Sequence, residues 1–221
     1  MPSAPRPDDP PPDSAGPSVD HRHAVLGWPA HAAEDIVRAR RLTLRPYAEA
    51  HRDAMISLLN RNKARLRPVV PINRDGEPDA AWFDRQLELA ERGRTHGDAW
   101  RRVVWTAGAE RPRPIGVAHL NAISRGLEAE ADLCVWIDAE QTGRGLASEA
   151  VAATLAVAFA LPPRGLGLTA VHGGVQGGNP AGRRLLERCG FRLDPGKQSH
   201  LLINGSWVRH EYWVVTPPIT A

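Results

Sequence analysis

The sequence predicts a mixed α+β fold, in which helices form layers on a largely antiparallel sheet. Segments with strand and helix periodicity follow the order strand, two helices, three strands, helix, strand, helix and two strands. A proline turn at residues 111–114 joins the second and third strands, as is typical of an antiparallel hairpin. The chain has no internal repeat, and its 221 residues are enough for one substantial core.

The first elements are a strand and two helices. Residues 41–45 alternate polar and apolar side chains, which predicts a strand that Pro46 ends. Residues 48–60 place apolar side chains at helical spacing, and residues 80–93 predict a second helix in the same way. The segment between them, residues 61–77, is basic and interrupted by prolines.

Three strands and a long helix follow. Residues 100–106 and 115–123 predict the two strands of the hairpin, and residues 131–137 predict a further strand. A glycine-rich turn that begins at Gln141 opens a long apolar helix, which Pro162 and Pro163 stop. The last predicted elements are a strand, a helix and two strands, at residues 168–175, 180–188, 191–193 and 207–215.

Composition excludes several classes of protein. Two cysteines cannot build a disulfide framework and lack metal-ligand spacing, so we expect a cytoplasmic chain without a metal site. The sequence contains no run of about 18 apolar residues, so no transmembrane helix is predicted. The first 20 residues lack the apolar core of a signal peptide.

The start of the chain differs from the rest in composition. Seven of the 20 prolines lie within residues 1–17. The first 20 residues carry one arginine and four aspartates, a net side-chain charge of −3, so the remaining chain carries +6. Such a segment buries too little apolar surface to offset the entropy of ordering it. We therefore expect a disordered acidic tail over residues 1–22 and a single domain over residues 23–221.

The glycine-rich turn is the strongest chemical signal. Residues 141–149 read Gln-Thr-Gly-Arg-Gly-Leu-Ala-Ser-Glu between a strand and a helix. Glycines let several backbone N–H groups point at one place, and the helix N-terminus adds partial positive charge. With Arg144, the turn suits a phosphate or pyrophosphate, although it matches neither the Walker loop nor the dinucleotide fingerprint. Taken alone, the pattern leaves open a plain glycine-rich connection.

Three segments together carry a resemblance to a known superfamily. Asp132 to Ile137 is similar to a Glu-Ile-Gly-Tyr-Trp-Leu strand, and Gly143 to Ala150 to a G-x-G-x-A turn followed by Thr/Ser-Glu-Ala. An Asn-x-x-Ser segment followed by Arg and Gly-Phe is matched by Asn179, Arg184, Gly190 and Phe191. Over residues 40–217, these motifs resemble the GNAT acyltransferase superfamily, and within it most closely the ribosomal-protein N-terminal acetyltransferases.

The resemblance implies where an acyl-CoA donor binds. In such folds two central parallel strands splay apart, and the pantetheine arm of acetyl-CoA completes the open ladder. Here this places the arm along the backbone of Val135, Trp136 and Ile137, with Asn179 as a side-chain contact. Arg144 and Arg184 are expected at the phosphates, with Arg183 and Arg188 as competitors. The pyrophosphate is expected on the N–H groups of the turn, which belong to Gly143, Arg144, Gly145, Leu146, Ala147 and Ser148.

The expected reaction is direct attack of a neutral amine on the thioester carbonyl. It needs a base for the amine proton and a donor for the leaving thiolate. The sequence departs from the family at both usual donor positions, since Gly182 replaces the serine and Leu186 replaces a tyrosine found in some relatives. Water or another side chain would then protonate the thiolate.

Several residues are candidates for the base. We rank Asp132, His172 and Glu130 in that order. Asp132 aligns with a carboxylate that is common in the resembled branch, and histidine suits the role because its ordinary pKa lies near neutral pH. His119 and Glu128 are further candidates, and the favoured alternative for both Glu128 and Glu130 is a charge that only solvates the turn. The alternative for His172 is a buried structural histidine, and for Asp132 a structural carboxylate.

The two cysteines are expected to be buried small hydrophobic residues. Cys134 is the more interesting one, because the resemblance places its strand beside the thioester. An acyl relay through Cys134 is the minority interpretation.

The acceptor and the assembly remain open at this level. The resemblance places the acceptor site in residues 48–93 and 194–212, whose mixed charges fit a protein N-terminus or a small-molecule amine. No aromatic–basic array predicts nucleic-acid binding, and no membrane partner is expected. Monomer and homodimer are both compatible with the sequence. The alternative function is a CoA-binding GNAT-like sensor or interaction module that has lost catalysis.

Overall fold

A computed structural model describes residues 36–70 and 78–218 of the chain. The expected tail, residues 1–22, lies outside the described residues. The helices are α1 (Arg52–Leu66), α2 (Asp79–His96), α3 (Leu146–Phe159) and α4 (Pro180–Arg188). The strands are β1 (Val37–Arg38), β2 (Leu42–Arg45), β3 (Trp100–Thr106), β4 (Pro114–Asn121), β5 (Glu130–Ile137), β6 (Ala170–Gln176), β7 (Arg192–Ile203) and β8 (Ser206–Val215).

The strands form one sheet of eight in the order β1-β2-β3-β4-β5-β6-β8-β7. All neighbouring strands are antiparallel except β5 and β6, which are parallel. The parallel pair is possible because α3 crosses from the end of β5 to the start of β6. The predicted α+β class with a mostly antiparallel sheet is confirmed.

Side chains alternate between the two faces of the sheet and build two cores. On β3, Val103 and Trp105 pack beneath α1 and α2, together with Met55 and Phe83 from these helices. Val104, on the other face, belongs to the larger core under α3 and α4. The fold therefore has three layers, with the sheet in the middle.

Three elements differ from the sequence prediction. Strand β1 was not predicted. Helix α1 extends to Leu66, because Asn62 and Leu66 continue its buried face through the basic segment. Strand β7 is far longer than the predicted residues 191–193, since pairing with β8 resumes at Gln198 after a bulge that follows Asp194.

The helix ends follow local rules. Helix α2 ends at Gly97, whose φ of 72° is left-handed and favours glycine. Helix α4 starts after Asn179, whose Oδ1 accepts a hydrogen bond from the backbone N–H of Gly182, and Pro180 occupies its first position. Across the described ranges, no helix is both long and apolar enough to cross a membrane.

Gly116 on β4 gives a test of the packing between β4 and β5. A Cβ there would overlap the carbonyl oxygen of Trp136 and approach Ile137 Cδ1 to 2.9 Å. We expect Gly116→Ala to lower the free energy of unfolding by about 2–4 kcal/mol in urea denaturation, because backbone cannot move aside as a side chain can.

Gly126 provides the matched control, because a Cβ there meets nothing within 4 Å. Gly126→Ala should change the free energy of unfolding by less than about 1 kcal/mol. Equal stabilities of the two variants would contradict the close approach of β4 and β5 at Gly116.

Candidate active site

The parallel ladder between β5 and β6 is short. It runs from the pair Glu130–Ala170 to the pair Leu133–Gly173 and then stops. Both strands continue beyond it, β5 to Ile137 and β6 to Gln176. The facing backbone edges of the two strands therefore part in the middle of the sheet, as the resemblance implied.

One cross-strand row of side chains marks the level of this parting, and we call it the cleft row. It lies on the face covered by α1 and α2. Arg101 pairs with His119 and His119 with Cys134 on one side, and Gly174 pairs with Tyr212 on the other. Gly174 is exposed although β6 is an interior strand, so the sheet is open at this point.

Tyr212 closes one side of the opening. Its ring atoms Cε1 and Cζ lie 3.7 Å from the position that a Cβ of Gly174 would take. The hydroxyl end of the ring therefore faces the parted strands, and the hydroxyl lies 3.2 Å from Ser199 Oγ. The sequence contained no signal for this residue, because its position depends on the pairing of β8 with β6.

The predicted base residues lie beside the cleft row. Asp132 is directly opposite His172 in the parallel ladder. His172 Nε2 lies 3.1 Å from Glu130 Oε2, and only 7% of His172 is exposed. Because a carboxylate oxygen accepts, the N–H of Nε2 is the donor in this contact. Nδ1 is buried and has no hydrogen-bond partner among the described residues.

His119 and Cys134 occupy the centre of the cleft row. His119 Nε2 lies 3.1 Å from the hydroxyl of Tyr47, and burial, with the charges of Arg101 and Arg102, holds the pKa of His119 well below its ordinary value. Burial raises the pKa of the half-buried Cys134 thiol. Both groups are therefore neutral near pH 7.

The glycine-rich turn lies after β5, at the N-terminus of α3. Gly143 and Gly145 have φ values of 75° and 74°, which explains the glycines at these positions. No side chain caps α3, and residues 142–145 are exposed, so its first N–H groups are available to an anion. A Cβ at Gly143 would meet nothing within 4 Å, which shows open space above the turn. The turn brings six predicted contacts together, from Gly143 to Ser148.

Arg41 holds this turn from the start of β2, and sequence reasoning missed it. Its Nη1 donates to the carbonyl oxygen of Arg144 at 3.0 Å, and its Nε lies 2.7 Å from Glu149 Oε2. Burial opposes ionisation of Glu149, but the hydrogen bonds from Arg41 outweigh it and lower the pKa of Glu149. Arg41 Nη2 lies 3.6 Å from the Cβ position of Gly145, so a second cation borders the turn.

The remaining predicted contacts lie on α4. Asn179 is committed through Oδ1 to the cap of this helix, which leaves its amide nitrogen for a ligand. Arg183 is held by Glu211, with Nε 2.5 Å from Oε1. Arg184 and Arg188 are exposed, so Arg184 is better placed than Arg183 to meet a phosphate.

A buried clamp ties the end of β5 to α1. Asp138, which is 1% exposed, accepts hydrogen bonds from Asn62 Nδ2 at 2.9 Å and from Arg61 Nη2 at 3.1 Å. Burial raises the pKa of Asp138, but these bonds and the charge of Arg61 outweigh it, so the pKa is lowered. Arg65 Nη2 donates to the carbonyl oxygen of Ile137 at 2.5 Å. Of the three predicted backbone contacts, Ile137 thus has its carbonyl already bonded.

Metal ions have no evident place in this site. Within residues 36–70 and 78–218, no group of three His, Cys, Asp or Glu side chains is placed to hold one.

Comparisons with known proteins give a relative by sequence, solved structures that share the fold, and a family. A probable N-acetyltransferase of Bacillus subtilis (strain 168), YjcK, is 30% identical over 115 residues. This match covers 52% of the chain and 60% of the relative, so the chain spans less than two thirds of that protein.

Two solved structures share the fold. Mycobacterium smegmatis RimJ in complex with CoA-disulfide has a TM-score of 0.73 at 20% identity, over 84% of this chain and 88% of that one. The ribosomal-protein-S5-alanine acetyltransferase of Vibrio fischeri has a TM-score of 0.70 at 21% identity, over 82% of this chain and 96% of that one. Residues 41–192, more than half of the chain, match the family described as acetyltransferase (GNAT) domain. The chain therefore belongs to the GNAT acetyltransferase family.

Proposed function

We propose that this chain is an acetyl-CoA-dependent N-acetyltransferase that acts on a primary amine. The observation that carries the proposal is the parting of β5 and β6 directly beside an exposed glycine-rich turn. Open backbone edges suit the amides of a pantetheine arm, and the turn suits its pyrophosphate. Two free cysteines fit a reducing compartment such as the cytoplasm.

The donor would lie across both features. The pyrophosphate binds the N–H groups of residues 143–148, and Arg41 and Arg144 supply positive charge on either side of the turn. The pantetheine arm extends between the parted strands, along the backbone of Val135 and Trp136. Asn179 reaches the arm with its free amide nitrogen, and Arg184 meets a phosphate from α4.

The acceptor would enter from the α1/α2 face. Gly174 leaves the sheet open there, and the candidate base residues lie on the same face. The names of RimJ and of the ribosomal-protein-S5-alanine acetyltransferase favour an amine at a protein N-terminus. A small-molecule amine remains the second candidate for the acceptor.

The base would be the pair of Glu130 and His172. The amine nitrogen attacks the thioester carbonyl carbon, a C–N bond forms, and the C–S bond then breaks. Nδ1 of His172, with its free lone pair, takes the amine proton directly or through one water, and Glu130 stabilises the charged ring. Asp132, opposite His172, adds a second carboxylate to the same region. The leaving thiolate takes a proton from the hydroxyl of Tyr212, and Tyr212 then regains a proton from solvent.

The first test of the function is turnover. Mixing the protein with acetyl-CoA and peptides that begin with serine or alanine, or with small amines, should release free thiol in proportion to acetylated product. Thiol release is measured with a colorimetric thiol reagent, and the acetylated product is identified by mass spectrometry. CoA binding without turnover of any amine would contradict the proposal and favour a module that only binds CoA.

The glycine-rich turn is tested by a pair of variants. Gly145→Glu places a carboxylate where the pyrophosphate would bind, and should weaken CoA binding at least about 10-fold in calorimetry, because like charges repel in the turn. Gly108→Glu is the control, because Gly108 has a similar φ of 72° but lies in the β3–β4 connection. Equal CoA affinity of the two variants would contradict the proposal that the pyrophosphate binds at the turn.

The acid–base roles are tested by His172→Gln and Tyr212→Phe. Each should lower kcat by about 100- to 10,000-fold, while the Kd of acetyl-CoA stays within about twofold, because these side chains act on protons and not on the cofactor. His96→Gln changes an exposed histidine at the end of α2 and should leave kcat unchanged. A wild-type kcat in His172→Gln would exclude the histidine ring as the base. A wild-type kcat in Tyr212→Phe would exclude the tyrosine as the acid, and water would then protonate the thiolate.

A further inference from the structure

Arg101 is a largely buried cation that has no counter-ion among the described residues. Its guanidinium lies under α2, where Nη2 donates to Gln86 Oε1 at 2.6 Å and Nη1 donates to Asn121 Oδ1. Both partners are neutral amides. Its Nε is buried and makes no hydrogen bond, and no carboxylate within the described ranges pairs with the guanidinium.

The ionisable groups near Arg101 do not compensate its charge. Burial raises the pKa of the Tyr47 hydroxyl and of the Cys134 thiol, so both stay protonated at neutral pH. His119 is kept neutral by burial and by the neighbouring arginines. Burial also lowers the pKa of Arg101, but a guanidinium remains charged at neutral pH. A buried charge of this kind is costly unless an anion completes it.

Arg101 lies on the face of the sheet from which the acceptor would enter. Arg101 is opposite His119 in the sheet, and His119 is opposite Cys134, which follows the last paired residue of β5. Arg101 thus belongs to the cleft row by its backbone, and its guanidinium lies against Gln86 and Asn121, the cross-strand neighbour of Asp132. The glycine-rich turn lies beyond the far end of β5, so the phosphates of CoA would be bound elsewhere.

We infer that Arg101 binds a carboxylate of the substrate, carried either by the acyl chain of the donor or by the acceptor amine. This inference rests on the proposed function and specifies its substrate class. Each Nη group uses one hydrogen on an amide oxygen and keeps a second, and a planar guanidinium can meet both oxygens of a carboxylate. Acetyl-CoA with an uncharged amine would leave the cation unpaired.

The experiment has a donor arm and an acceptor arm. The donor arm compares kcat/KM of the wild-type protein for acetyl-, butyryl- and succinyl-CoA, which separates chain length from charge. The acceptor arm uses acetyl-CoA and matched pairs of amines, such as a peptide with aspartate at its second position against asparagine, and an amino acid against its amide. In one of the two arms, kcat/KM for the substrate that bears a carboxylate should exceed kcat/KM for its uncharged match by about 10- to 100-fold.

Variants of Arg101 connect that preference to its charge. Arg101→Met should reduce the preference to less than about threefold, and Arg101→Lys, which keeps a cation, should retain part of it. Gln86→Leu is the control, because it removes a partner of the guanidinium but not the charge, and should keep the preference. Without ligand, Arg101→Met should melt at the same or a higher temperature than the wild type, since an unpaired buried charge is removed.

The outcomes separate the inference from the function on which it rests. Absence of turnover with every donor and amine would overturn both. Turnover without a carboxylate preference in either arm would overturn the inference alone, as would a preference that Arg101→Met leaves intact. A lower melting temperature of Arg101→Met with unchanged selectivity would make Arg101 a structural residue.

Discussion

The site depends on the C-terminal end of α1 and the turn after it, which contact the ends of both parted strands. Asn62 and Arg65 bind the end of β5, through Asp138 and the carbonyl oxygen of Ile137. The turn after the helix binds the end of β6, because Gln176 Nε2 donates to the carbonyl oxygen of Pro68 at 2.6 Å. The ends of both parted strands are thus tied to α1 and to the turn that follows it.

The two faces of the sheet have different tasks. The face under α3 and α4 carries the larger apolar core, with Trp100, Val104 and Trp213 in one continuous cluster. The opposite face carries the polar cleft row and, beside it, Asp132 and His172. Burial of polar groups is unfavourable unless they are paired, so the polar cleft row depends on the apolar cores on both faces of the sheet for its stability.

Residues whose backbone role demands one residue type could be predicted from sequence. Gly143 and Gly145 take left-handed φ values, and Asn179 caps a helix, so each leaves a local signature. The contacts that organise the site leave none. Arg41 and Glu149 are 108 positions apart, and Asn62 and Asp138 are 76 apart, and none of these residue types indicates a partner on its own.

The same limit explains the prediction of β7. Asp194, Pro195 and Gly196 have the composition of a turn, and local reasoning therefore ended the strand before them. Only its pairing with β8 reveals that the strand resumes at Gln198. The Glu130–His172 contact was likewise invisible as a pair, although both residues were candidates, because it depends on the register of the single parallel ladder.

The bulge in β7 also bears on how the sheet ends. β7 is the last strand, and Leu193, Leu201 and Leu202 on it are exposed. An unpaired outer strand with exposed leucines can be a template for strands of other molecules and a starting point for aggregation. The irregularity between Asp194 and Gln198 divides the strand into two shorter pieces, with Lys197 inside the interruption. Because of this bulge, a strand from another molecule cannot pair with both parts of β7 in one register. The bulge therefore limits edge-to-edge association of the sheet.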